Sequence, residues 1–143
     1  MRAKLIQEHG ERTYAVIFET GDEVMAGLHA FARQQGLTAA HFTAIGAFSR
    51  ATLGFFEWES KQYRPIPVEE QVEVLSLVGD VALQQGEPKV HAHAVVGTAE
   101  GLARGGHVLE AYVRPTLEVI LTEAPAHLRR EVDQESGLAL IRV

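Results

Sequence analysis

No cysteine occurs in the 143 residues. Disulfides and thiolate metal sites are therefore excluded, and any bound metal must use nitrogen or oxygen donors. Basic charge is also scarce. Thirteen Lys and Arg stand against nineteen Asp and Glu, for a net charge of −6. The adjacent arginines Arg129 and Arg130 are followed at once by acids, in His-Leu-Arg-Arg-Glu-Val-Asp, and read as solvated surface. Affinity for nucleic acid comes largely from basic groups at phosphates. Direct DNA binding by this chain alone is therefore disfavoured. No apolar run approaches the roughly 20 residues that span a bilayer, so no membrane partner is expected. The opening Met-Arg-Ala-Lys-Leu-Ile-Gln-Glu-His is too polar for a secretory signal, and cytoplasmic residence is the default expectation. Repeats, linkers and low-complexity segments are lacking too, which predicts one domain over residues 1–143.

The remaining composition, 46% hydrophobic and 22% charged, is that of an ordinary globular protein. Residues 14–19 alternate as a strand. Thr20-Gly21-Asp22 then opens a helix with Asp22 as its cap; Val24, Leu28 and Phe31 keep helical spacing, and Gly36 ends it. Strands are predicted over residues 39–47, 51–59 and 72–78, the last broken at Gly79-Asp80 and resuming over 81–84. Residues 64–68 contain two prolines and belong to an edge or a connection. Further strands are predicted over 90–96, 108–113, 116–122 and 138–143, with Pro115 separating the second from the third. One helix among so many strands predicts an α+β fold. Its core is a mostly antiparallel, highly curved or barrel-like sheet.

Against this background three histidines stand out: His91 and His93 in Lys-Val-His-Ala-His-Ala-Val-Val-Gly, and His107 in Arg-Gly-Gly-His-Val. Strand residues two apart point the same way, roughly 6–7 Å from one another. A turn centred near Glu100 sets His107 opposite His93, and one centred at Ala99 sets it opposite His91. Either register keeps the three rings on one sheet face. Gly105 and Gly106 allow the backbone to bend and aim the third ring. Three neutral imidazoles with a fourth open position form a catalytic zinc arrangement, so His91, His93 and His107 are the candidate metal ligands and zinc the candidate cofactor.

Several segments, in order, resemble the plants and prokaryotes conserved (PPC) domain. They are Gly21-Asp-Glu-Val, Ala44-Ile-Gly-Ala-Phe, Val74-Leu-Ser-Leu-Val-Gly-Asp, His91-Ala-His and Gly105-Gly-His-Val-Leu-Glu-Ala. The resemblance covers nearly the whole chain and is most specific over residues 105–121. It implies an α+β fold with a mixed pseudo-barrel sheet, assembled as a homotrimer. In plants this domain sits beside AT-hook DNA-binding motifs and associates with itself and other proteins. The chain has no Arg-Gly-Arg core of an AT-hook. The fold is also similar to that of acetolactate decarboxylase, a zinc enzyme with a His-x-His and a later His. That pattern falls on His91, His93 and His107, whereas the enzyme's arginine and acidic residues find no assigned counterpart.

Other polar residues have plainer readings. His41, before a buried strand, is a candidate fourth ligand but reads first as a strand-end hydrogen-bonding group. Glu110 alternates away from His107 and reads as structural. Glu57 and Glu59 flank Trp58 and suit an exposed strand face. His9, His29 and His127 read as surface residues, and Arg114 as a salt-bridge former. Leu102-Ala-Arg-Gly-Gly lacks the strand and helix context of a nucleotide site, and no Ser/His/Asp triad is apparent. Two function classes remain in front. One is a metal-binding domain acting on or sensing a small molecule, with lyase or hydrolase chemistry on an oxo-acid. The other is a non-catalytic trimeric protein-interaction module or DNA-associated regulator.

Overall fold

The computed structural model describes residues 1–124 and 127–143. In chain order the elements are β1 (Arg2–Gln7), β2 (Thr13–Glu19), α1 (Val24–Gln35), β3 (Ala39–Glu57), β4 (Gln62–Val68), β5 (Val72–Gln84), β6 (Glu87–Gly97), β7 (Ala103–Glu123), β8 (Arg129–Val132) and β9 (Ala139–Arg142). The fold is the expected α+β arrangement. The strands run in the order β1-β2-β7-β3-β5-β8-β9, and β6 pairs with both β5 and β7. Strands β7, β3, β5 and β6 thus close into a ring of hydrogen bonds. The β5–β8 pair is parallel and the other ladders are antiparallel, so the sheet is mixed.

The ring encloses an apolar interior that includes Phe42, Phe48, Leu53, Leu77, Leu117 and Leu121. Burying each such side chain contributes about 1.5–3 kcal/mol. Helix α1 adds the stripe Val24, Leu28, Phe31 and Ala32 and packs against β6 and β7. It ends at Gly36, whose left-handed φ of 63° lets its N–H reach the carbonyls of Ala32 and Arg33.

Local chemistry departs from the sequence reading at several points. The cap of α1 is Glu23, not Asp22: its carboxylate accepts from Met25 N and Ala26 N. It also accepts from Ala111 N on β7 at 3.0 Å, a reach that ties the helix start to the sheet. Asp22 instead accepts from Glu19 N in the preceding turn. β3 runs through both predicted strands, because bulges near Gly46 and Phe48 absorb the irregularity. Pro115 does not break β7. It lies where the register with β3 shifts between Val113 and Leu117, so its missing N–H interrupts no regular ladder there. β5 is continuous through Gly79-Asp80, and its irregularity lies between Val74 and Ser76. Edge strand β4 accommodates Pro65 and Pro67.

Candidate metal centre

The site is built on the β6–β7 hairpin. Along β6, Val90, Ala92 and Ala94 are buried, so alternation turns His91 and His93 to the outer face of the ring. The connection is tight: Gly101, at φ 78°, donates to Thr98 O at 2.9 Å, and Thr98 N donates to Leu102 O. The resulting register pairs His93 with His107, the outcome of a turn near Glu100. Pairing between β6 and β7 stops at these two residues. His107 also pairs with Gly54 of β3, where a Cβ would crowd Tyr63.

The three predicted residues are brought together. One ligand-capable atom from each lies within 4.8 Å of the other two. His91 Nε2 and His93 Nε2 are 3.2 Å apart. Two nitrogens held tetrahedrally by one zinc would be about 3.3 Å apart, given zinc–nitrogen bonds of about 2.0–2.1 Å. His107 Nδ1 is buried without a hydrogen-bond partner. An all-imidazole set is compatible with zinc, copper, iron or nickel. The residues therefore fit a metal ion.

Electrostatics favour the unprotonated, ligating form. Burial, aided by the neighbouring His91, His93 and Lys89, pushes the His107 pKa down to about 4. Burial first, then His93 and Arg130, also lowers that of His91. Tyr63 of β4 stacks on the His107 ring, with centroids 4.3 Å apart and planes at 22°, and fixes its orientation.

Where β6 and β7 part beyond His93 and His107, a cleft of about 380 Å³ opens beside His91 and His107. Its other walls come from α1 and from the β8–β9 hairpin, including Leu138 and Leu140. Arg130, read from the sequence as solvated, lines this cleft and is buried. It pairs with Asp80, which faces His91 across the β5–β6 ladder, and donates to Ala139 O at 3.0 Å. Its neighbour Arg129 is exposed as expected. Sequence reasoning missed Arg130 because its partner lies on a distant strand. The available signal was alternation, which turns Arg130 opposite to Arg129 and Glu131.

His29 is the second correction. It is not a free surface residue: its Nδ1 donates to Met25 O at 2.8 Å, and its Nε2 accepts from Val90 N at 3.2 Å. It ties α1 to β6 on the cleft wall. His41 is exposed on β3 opposite Asp80, outside the three-histidine group. Glu110 accepts from Thr52 Oγ1, Glu57 pairs with Arg64, and Arg114 donates to Gln71 Oε1 rather than to an acid. His9, Glu59 and His127 are exposed.

A strand ring carrying three histidines beside a helix-walled cleft defines a class that comparison with known proteins makes specific. The Plants and Prokaryotes Conserved (PCC) domain matches residues 6–125, and the chain belongs to that family. A plant- and prokaryote-conserved (PPC) protein of Pyrococcus horikoshii is 32% identical over 96% of this chain and 98% of its own, with a TM-score of 0.86. A candidate DNA-binding protein of Ralstonia eutropha JMP134 is 32% identical over 91% of this chain and 90% of its own, TM-score 0.85. A metal-containing protein of Archaeoglobus fulgidus is 27% identical over 99% and 97%, TM-score 0.84. A Staphylococcus aureus protein similar to alpha-acetolactate decarboxylase shares the fold at 12% identity and TM-score 0.55, over 85% of this chain and 53% of its own. None of the curated proteins compared with the chain matches it.

Proposed function

We propose that this protein is a metal-binding domain in which His91, His93 and His107 hold one zinc ion, and that it acts on or senses a small molecule in the adjoining cleft. The convergence of three imidazoles, two of which, His91 and His107, line that cleft, carries the reading. The relative from Archaeoglobus fulgidus, described as metal-containing, supports it. A zinc ion with an open position supplies Lewis-acid polarisation of a carbonyl or activation of water. Lyase or hydrolase chemistry on a small oxo-acid fits that capacity and the likeness to the decarboxylase-like fold. In the chain itself, Tyr63 orients His107, burial favours unprotonated His91 and His107, and mostly apolar walls line the cleft. Zinc titration against a chromogenic chelator tests the reading. The wild-type protein is expected to compete for one zinc per chain, and His91→Ala to lose that competition. Equal competition by both would refute it.

A second reading draws on the outer face of the ring. Ile45, Leu75, Val78, Val95 and Ile120 are between 43% and 62% exposed there, a cluster suited to a subunit or protein interface. We assign this face to a homotrimer. A non-catalytic interaction module would use the same face. The Ralstonia relative is described as a candidate DNA-binding protein, but the net charge of −6 opposes that role for this chain alone. No helix among the described residues is long and apolar enough to cross a membrane.

A further inference from the structure

We propose that Arg130, Lys89 and the β8–β9 hairpin form an anion-binding wall, through which the cleft takes a small α-keto carboxylate. This rests on the metal reading only for the keto group. The carboxylate subsite stands on its own residues.

The charge inside the cleft runs against the charge of the chain. The net charge is −6, yet the acid-or-base lining residues other than histidine and tyrosine are Lys89 and Arg130, with no carboxylate among them. Cations focused in a low-dielectric recess attract an anion. Arg130 is built in: its side chain is only 6% exposed, held by Asp80 and by Ala139 O. Those two bonds use two of its five N–H donors. Its buried Nε has no partner, so donor capacity remains unmet. Lys89 is exposed at the rim and forms no ion pair among the described residues, so its ammonium is free to meet an anion.

The rest of the lining selects the kind of anion. Met25, Val90, Val108, Leu109, Leu138 and Leu140 are hydrocarbon. A phosphate, with charge spread over several oxygens, needs several donors. These walls instead suit a carboxylate with an alkyl body, and a volume of about 380 Å³ holds one of a few carbons. With the carboxylate on the cationic wall, an α-keto oxygen lies toward His91 and His107. The three histidines lie on the β6–β7 hairpin, whereas Arg130, Leu138 and Leu140 come from the β8–β9 hairpin, so the two hairpins supply different parts of the site.

Calorimetric titration of the full chain, metal-free and zinc-loaded, with α-ketobutyrate, its methyl ester and inorganic phosphate tests this. α-Ketobutyrate is expected to bind both forms, about tenfold more tightly with zinc, while the ester and phosphate bind at least about tenfold more weakly. Lys89→Met, a surface change, is expected to weaken α-ketobutyrate binding about fivefold. The paired change Arg130→Gln with Asp80→Asn, which leaves no buried carboxylate unpaired, is expected to weaken it about tenfold. Zinc content and thermal melting of each variant serve as controls for the fold. If wild-type protein takes up no zinc but still binds α-ketobutyrate through Lys89 and Arg130, the metal reading fails and the anion wall stands. Equal binding of the ester, no binding to either form, or full binding by both variants would overturn the anion wall.

Discussion

His93 and His107 face each other as the last pair of the β6–β7 ladder, and the cleft opens where that pairing ends. The hairpin that aligns the two rings therefore also places His107 on the wall of a recess. His91 lies one alternation further along β6, beside the recess and opposite Asp80.

Acid should weaken the metal-free protein in a defined window. His91 and His107 have folded-state pKa values below the ordinary 6.5, that of His107 near 4. The unfolded chain therefore binds protons first as pH falls. The stabilising preference for neutral rings is complete above about pH 6.5 and is lost on the way down to about pH 4. Urea unfolding of chelator-treated protein across that range should give stability that falls with pH, with a shallower fall for His107→Asn. Equal slopes for the two proteins would contradict the account. The lowered carboxylates act in the same direction; the effect of Glu123 sets in near pH 4.5, at the lower edge of this window, and those of Asp22 and Asp133 below it.

Gly79 gives β5 the room to pack against Phe42 and β6. A Cβ there would overlap the Phe42 ring and the carbonyl oxygen of His91. Gly79→Ala should destabilise the protein by about 1–3 kcal/mol through overpacking. Because relief requires β6 to move at His91, zinc affinity should fall as well. Wild-type zinc affinity together with wild-type thermal stability would contradict this.

The outer apolar face predicts assembly. Sedimentation should give a particle three times the 15.7 kDa chain mass. Leu75→Glu should shift it toward monomer, since a charge buried in an apolar interface is costly. A stable wild-type monomer at micromolar concentration would contradict the trimer.

Duplex DNA should bind poorly at physiological salt, because a chain of net charge −6 neutralises few phosphates. Fluorescence anisotropy should give no sub-micromolar binding. Tight binding that weakens steeply with added salt would reveal a basic surface assembled between subunits and would reverse the ranking of functions.

What the sequence made legible follows from how local each signal is. The histidine triad needed only strand alternation and a short turn, both set within residues 90–107. The helix stripe Val24, Leu28 and Phe31 was equally local. β1 escaped because it is an edge strand exposed throughout, with no buried face to impose alternation. β3 and β7 looked broken because Gly46 and Pro115 mark bulges in long strands, and only cross-strand register separates a bulge from an end. Glu23 displaced Asp22 as cap because its longer side chain also reaches Ala111 N. Arg130 was least legible. A buried cation depends on a counter-charge, and Asp80 is fifty residues away.

The central claim is that three histidines hold one metal ion. Elemental analysis of untagged protein, purified without chelators, tests it most directly when repeated on His91→Ala, His93→Ala and His107→Ala. The account predicts about one zinc per chain in the wild type and a loss of about tenfold or more in each variant, as expected when a three-ligand site drops to two. Wild-type protein with far less than one metal per chain, or variants that retain the wild-type content, would contradict it.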